Sequence, residues 1–311
     1  MASVYGYRVF GLNVLSDAEV PYWPSGQPPW DVRIAFGDVP EEIGAGELLW
    51  NGAFQGRGDR CLLRLQGAGR ILVEHGAQIT IAPTAGYSAL TLAHVLSGTA
   101  YAALLYQRRV LCLHACAVAR DGKAYVVMGP SGAGKSTTAS ALLAQGCEFL
   151  SDDVTAISVA SDGRHLAAPS YPSLRLLTDS HDRLANRIAA HAAFDPADEK
   201  FRLHYRGAVA AERVPVARIC FLEKDVTIVR PHTIPLLGQE KLAALQRSLF
   251  RRQMGKIVVG PTRLAELILE LAQAVEVVRL TRPERGFTVD ELCALILEPG
   301  PASLRDSSTS I

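Results

Sequence analysis

The stretch GPSGAGKST, from Gly129 to Thr137, and the pair Asp152-Asp153 that follows it are the residues of this chain best suited to chemistry. Gly129, Gly134, Lys135 and Ser136 satisfy the pattern G-x-x-x-x-G-K-[ST] without a mismatch. In such a loop the glycines let the backbone turn until successive N–H groups converge on phosphate oxygens. Gly129, Pro130, Ser131, Gly132, Ala133, Gly134, Lys135, Ser136 and Thr137 are therefore the expected nucleotide cradle. Lys135 would neutralise the β- and γ-phosphates, and the Ser136 hydroxyl would sit on Mg²⁺, so ATP and Mg²⁺ are the expected cofactors.

Asp152 and Asp153 close the short apolar run EFLSDD. A strand ending in Asp after a phosphate loop is where the metal-side carboxylate usually sits. Adjacent residues of an extended chain point to opposite sides, so the two aspartates are expected to do different jobs. One of the two is expected to hold Mg²⁺ or its waters, and the other to face the attacking nucleophile as its base.

Upstream, Cys112, His114 and Cys116 share one face if LCLHACAV is a single regular strand. The two cysteines would then lie about 13 Å apart, too far to meet on one ion. They read as small buried apolar residues. His114 is either a satisfied core histidine or a member of the site, because its strand should lie beside the one feeding the loop.

These residues need elements to hold them. AYVVMG reads as the buried strand before the loop, and KSTTASALLAQG as the helix after it, ended by Gly146. LCLHACAVARDGKAYVVMG reads as a hairpin turning at Asp121-Gly122. An antiparallel partner immediately before the loop is unlike most P-loop kinases and GTPases, and no L-S-G-G-Q segment follows it. Residues 1–86 are expected to be a β-rich module built from YRVFGLNVL, DVRIAF, CLLRLQ and QITIAP. Residues 87–300 are expected to be the P-loop domain, with helices at 239–253, 262–274 and 288–297, and 301–311 a disordered tail. The uncharged stretch 88–106 approaches the length of a membrane span, but its polar residues and helical spacing favour a buried helix.

Bulk properties narrow the partners. A net charge of +1 gives no electrostatic case for nucleic acid. Six cysteines without a C-x-x-C pair, and an N-terminus without an export signal, fit a cytoplasmic protein with no membrane partner.

The spacing of His114, Lys135 and Asp153 within LHACAV…GPSGAGKST…FLSDDV resembles the catalytic domain of the HPr kinase/phosphorylase family. Those enzymes are P-loop proteins related to phosphoenolpyruvate carboxykinase that phosphorylate a protein serine. The resemblance implies an α/β fold of α+β character, in which a β-rich N-terminal module precedes an HPr-kinase-like domain with a mixed sheet. It also implies that His114 belongs to the active site and that Asp153 is the proton acceptor, which leaves Asp152 on the Mg²⁺ side with Ser136. The opening YGYRVFGLNVLSDAEVP, together with YPSLRLL and EKFRL, is similar to the HPr-kinase-like proteins of lasso-peptide clusters, which phosphorylate a C-terminal serine of a precursor peptide. The later signature segment of true HPr kinases has no counterpart, which leaves the reverse activity and a homo-oligomeric state open.

Charge that spreads onto the transferring phosphoryl group calls for cations outside the loop. Lys200 and Arg202 are the candidates, with Arg175 a third. The expected activity is transfer of the ATP γ-phosphoryl to a serine of a peptide or protein. A small-metabolite kinase and a nucleotide-sensing module without turnover are the alternatives.

Overall fold

The structure, a computed structural model, describes residues 3–65, 69–87, 89–178, 182, 187, 190–195 and 200–298. The segment expected to be a disordered tail, 301–311, lies outside them. The protein is a mixed α/β fold.

Alternating burial organises the first sheet: every second residue of Leu12–Ser16 is buried, as for a strand with one face on a core. Its strands are β1 (Tyr5–Val9), β2 (Leu12–Ser16), β3 (Val32–Phe36), β4 (Glu47–Leu49), β5 (Phe54–Arg57), β6 (Arg60–Leu65), β7 (Gly69–Glu74) and β8 (Gln78–Ala82). They lie in the order β1-β2-β3-β8-β7-β6-β5-β4, and β3 runs parallel to both its neighbours. The run YRVFGLNVL is two strands rather than one. Phe10 and Gly11 take φ of 51° and 70°, which fold it into a hairpin.

The apolar stretch that follows forms α1 (Ala89–Val95), a π-helical turn (Leu96–Ala100) and α2 (Tyr101–Gln107). By length and composition Ala89–Gln107 could cross a membrane, yet most of it is buried inside the protein. Its polar groups are bonded internally: the Trp23 indole donates to Ser97 Oγ at 2.9 Å, and the Tyr106 hydroxyl to the Phe250 carbonyl at 2.6 Å. It is a core helix, and one apolar cluster runs from the first sheet through it into the second.

The second sheet contains β9 (Leu111–Leu113), β10 (Ala115–Arg120), β11 (Lys123–Met128), β12 (Glu148–Ser151), β13 (Thr155–Val159) and β14 (His165–Ala167). After these the chain forms β15 (Ser173–Leu177), β16 (Ala190–Asp195) and β17 (Lys200–Tyr205), a separate three-stranded sheet. It then returns through β18 (Val214–Asp225), β19 (His232–Pro235) and β20 (Glu276–Pro283). The order is β12-β10-β11-β18-β14-β13-β9, with β20 beside β18 and β19 beside β20. β11, β18 and β20 are parallel neighbours, whereas β10 pairs with β11 antiparallel. The expected hairpin is present, with Asp121 and Gly122 at φ of 51° and 69°.

Two sequence expectations need correction here. LCLHACAV is not one strand: it breaks at His114, where β9 pairs with β13 and β10 with β11. Cys112 and Cys116 therefore belong to different strands. The helix expected over 239–253 is likewise two, Gly238–Arg247 and Arg252–Val259. The two breaks meet. His114 N–H donates to the Ser248 carbonyl at 2.6 Å and Phe250 N–H to the Cys112 carbonyl at 2.9 Å. Backbone polar groups that each break would leave unpaired are satisfied by the other. Two further helices are Pro261–Ala274 and Val289–Leu297.

Candidate active site

β11 ends at Met128, and the loop leaves it in the middle of the sheet, at the carboxyl ends of the parallel strands where open α/β sheets bind ligands. Gly129 has a φ of 148°, and a Cβ there would lie 2.2 Å from the Leu222 carbonyl oxygen. No other residue fits that turn. Gly134, at φ 111°, stands at the N-terminus of α3 (Lys135–Ala144). The positive end of the helix dipole thus faces the loop, which makes it an anion site.

A cleft of about 580 Å³ opens over the loop. Its lining includes Ser131, Gly132, Gly134, Lys135, Ser136 and Thr137, together with His114, Asp152, Asp153 and Arg175. The Lys135 ammonium donates to the Gly129 and Pro130 carbonyls, at 2.9 and 3.2 Å. Ser136 Oγ donates to Asp152 Oδ1 at 2.9 Å, and the Arg175 backbone N–H to Asp152 Oδ2 at 2.9 Å. Asp152 is buried, and burial, reinforced by the charge of Asp153, raises its pKa above the usual carboxylate value. The Ser136 and Arg175 hydrogen bonds oppose that rise without cancelling it.

Asp153 behaves differently. β12 ends at Ser151, so the pair does not lie on extended chain as the sequence suggested. Asp153 takes φ of 69°, a left-handed conformation that Asp tolerates better than most residues. The side chains still diverge, but a turn separates them rather than strand pleating. Asp153 Oδ1 lies 3.2 Å from His114 Nδ1, and Oδ2 lies 3.9 Å from Arg175 Nη1. Burial alone would raise this carboxyl. The His114 hydrogen bond and the Arg175 charge outweigh it and hold the pKa at about 2.

His114 sits at the strand break, with its ring stacked on Phe250 at a centroid distance of 6.3 Å. Its Nδ1 also lies 3.1 Å from the Asp153 carbonyl. Both neighbours of Nδ1 are acceptors, so that nitrogen carries the proton. Arg175, on β15, donates from Nη2 to His94 Nδ1 at 2.9 Å, which ties α1 to the site.

The Lys200 side chain lies outside what the structure describes. Arg202 is the cross-strand partner of Arg175 and is not among the described residues lining the cleft. Two basic residues that sequence reasoning missed do line it, Lys224 and Arg282. They face each other across β18 and β20. Arg282 donates from Nε to the Ala133 carbonyl at 2.9 Å and from Nη1 to the Pro283 carbonyl at 2.9 Å, which fixes its guanidinium beside the loop. A signal for both was present, since ICFLEKD and VVRLTRP are largely apolar runs with a basic residue next to the last position. What the sequence did not reveal was that these strands flank β11.

All six cysteines are buried and free. Burial pushes the Cys116 thiol up, and its Sγ donates to the Lys135 carbonyl at 3.2 Å. Among the described residues no group of three or more His, Cys, Asp or Glu is arranged to hold a metal.

No family model matches the chain, and no curated protein matches it. Among solved structures it is similar to the HPr(Ser) kinase/phosphatase from Coxiella burnetii, at 14% identity and a TM-score of 0.32. That alignment covers 60% of this chain and 87% of the other.

Proposed function

We propose that the chain is an ATP-dependent kinase that transfers the γ-phosphoryl group to a serine hydroxyl of a peptide or protein. The observation that carries this reading is the division of labour between Asp152 and Asp153. One carboxylate is buried against Ser136, and the other is held ionised at the cleft between His114 and Arg175. A site that only sensed nucleotide would have no use for the second.

Ser136 and Asp152 offer two hard oxygen donors, the kind of incomplete set that suits Mg²⁺ when waters and phosphate oxygens complete its shell. Mg²⁺ bound there neutralises charge on the β- and γ-phosphate oxygens. Lys135 would turn from the Gly129 and Pro130 carbonyls to the phosphates, and the loop N–H groups would cradle them.

Asp153 would accept the proton of the attacking hydroxyl. A carboxylate with a pKa of about 2 is a weak base, but phosphoryl transfer passes through a loose transition state with little bond formation to the nucleophile. The proton then leaves late, from an oxygen already bonding to phosphorus, and the carboxylate mainly orients the hydroxyl until that point. His114 and Arg175 serve by keeping Asp153 ionised and aimed. The bond balance is simple: a P–O bond to serine forms, the bond between the γ-phosphorus and ADP breaks, and Asp153 takes the proton.

The serine acceptor rests on the resemblance of LHACAV…GPSGAGKST…FLSDDV to HPr kinases. The C-terminal serine of a precursor peptide rests on the likeness of the N-terminal layout to the lasso-cluster kinases. Mass spectrometry after incubation with ATP, Mg²⁺ and peptides ending in serine tests both. Phosphorylation of an internal serine alone would remove the C-terminal preference. Phosphorylation of small sugars or other metabolites, with every peptide untouched, would replace the acceptor class.

A further inference from the structure

The two flanks of the loop carry different chemistry. On one side of β11, β10 and β12 deliver His114, Asp152 and Asp153. On the other, β18 and β20 deliver Lys224, Arg282 and the turn that continues to Phe287, Thr288, Val289 and Leu292. The first flank holds the metal-side and acceptor-side carboxylates, so the γ-phosphate end of a nucleotide belongs there. The remainder of the nucleotide must run toward the second flank.

That flank is built for a flat apolar group with polar edges. Phe287 lines the cleft with 40% of its surface exposed, beside the buried Val289 and Leu292. Thr288 is the residue preceding the helix Val289–Leu297, where a threonine hydroxyl ordinarily caps a backbone N–H, yet it makes no capping bond. Its Oγ1 is shut off from solvent and has no hydrogen-bond partner. A buried hydroxyl left unbonded is costly, and it lines the same cleft as the Phe287 ring. The helix itself packs against α3 in the second apolar cluster, so both residues sit on a fixed support.

We propose that Phe287 and Thr288 form the nucleoside subsite, with the base stacked on the Phe287 ring and a base or ribose polar group bonded to the Thr288 hydroxyl once it rotates about χ1 from its unpartnered, buried position into the cleft. This rests on the reading of the loop as a nucleotide site, and it adds which residues recognise the nucleoside. Base–aromatic stacking has the size to matter here, because removing a stacking ring commonly weakens binding by roughly 5- to 100-fold.

The test separates nucleoside from phosphate by titration calorimetry of the full chain with ATP and with inorganic tripolyphosphate, in Mg²⁺. Wild type should bind ATP more tightly than tripolyphosphate. Phe287→Ala should lose ATP affinity roughly 5- to 100-fold and keep its tripolyphosphate affinity, whereas Phe287→Trp should retain both. Thr288→Val should also weaken ATP and spare tripolyphosphate. Equal affinity of wild type for the two ligands overturns the subsite and leaves the phosphate loop standing. So does a Phe287→Ala variant that binds ATP normally or loses both ligands in parallel. Wild type that binds neither ligand overturns the nucleotide reading and the subsite with it.

Discussion

Asp152 and Asp153 are consecutive in the chain and electrostatically opposed. Burial raises the first, while His114 and Arg175 hold the second at about 2. Each carboxylate also raises the other's cost of ionisation, since like charges compete for the same site. The contrast follows from the turn at Asp153, whose φ of 69° sends its side chain toward two cationic or donor groups. Asp152 instead meets one hydroxyl and one backbone N–H. Pairs of titratable groups pushed apart in this way mark sites where two carboxylates have two roles.

Asp153→Asn keeps the shape and the tolerated left-handed backbone but cannot accept a proton. Turnover should fall by roughly 10²- to 10⁴-fold with ATP affinity nearly intact. Because Asp153 titrates near 2, the ratio of wild-type to variant kcat should stay flat from pH 5 to 9. A ratio that rises through this range would mean that Asp153 titrates within it rather than near 2, and an unchanged kcat in the variant would mean that the proton acceptor is a different group.

Lys135→Ala removes the cation that serves the β- and γ-phosphates. It should abolish transfer and weaken nucleotide binding while the fold survives, because its partners are two loop carbonyls rather than core groups. Stopped-time assays with calorimetric binding check both halves. Unchanged turnover would take the loop out of the mechanism.

Much of this site was legible because its signals are local. The loop pattern, the Asp121-Gly122 turn and the buried strand before the loop each need only neighbouring residues, and all are found where expected. What escaped depends on distant pairings. His114 is exposed to the cleft because the chain breaks there and its backbone N–H donates to the Ser248 carbonyl, more than a hundred residues away. Arg282 reaches the loop because β20 lies beside β18, and β18 beside β11. Arg202 is the cross-strand partner of Arg175 and shares its face of the three-stranded sheet, but of the two only Arg175 lines the cleft, a placement that depends on how the sheet meets the loop and not on local sequence.

Arg282→Met tests one residue that the sequence concealed. Methionine keeps much of the side-chain bulk and removes the guanidinium, whose Nε bond to the Ala133 carbonyl is then lost. Losing a charged hydrogen-bonding group near the phosphates should weaken ATP by roughly 10- to 100-fold, and tripolyphosphate by a similar factor. Burial lowers the Arg282 pKa, but it remains cationic throughout the working range. Loss of ATP binding with tripolyphosphate unchanged would place Arg282 on the nucleoside instead.

The two Asp→Asn substitutions should also move stability in opposite directions. A carboxyl whose pKa is lowered by folding stabilises the native state above its unfolded pKa, and that contribution is lost as pH falls through the folded pKa. For Asp153, lowered from 3.8 to about 2, this amounts to on the order of 2 kcal/mol at neutral pH. Asp153→Asn forfeits it and leaves His114 and Arg175 short of an anion, so Tm at pH 7 should fall. Asp152 has the reverse sign. Its pKa is raised by folding, so ionisation at neutral pH costs native stability, and the cost fades as pH falls through its folded value and is gone below its unfolded one. An Asn at 152 still accepts from the Arg175 N–H and can donate to Ser136 Oγ, but carries no charge to bury. Asp152→Asn should therefore raise Tm at pH 7 in the absence of Mg²⁺, and the gain should shrink toward pH 3. The same variant should raise the Mg²⁺ concentration needed for turnover. Melting curves of both variants from pH 3 to 8 in chelator decide the matter, and a destabilised Asp152→Asn at pH 7 would contradict the assignment of Asp152 as the carboxylate strained by burial.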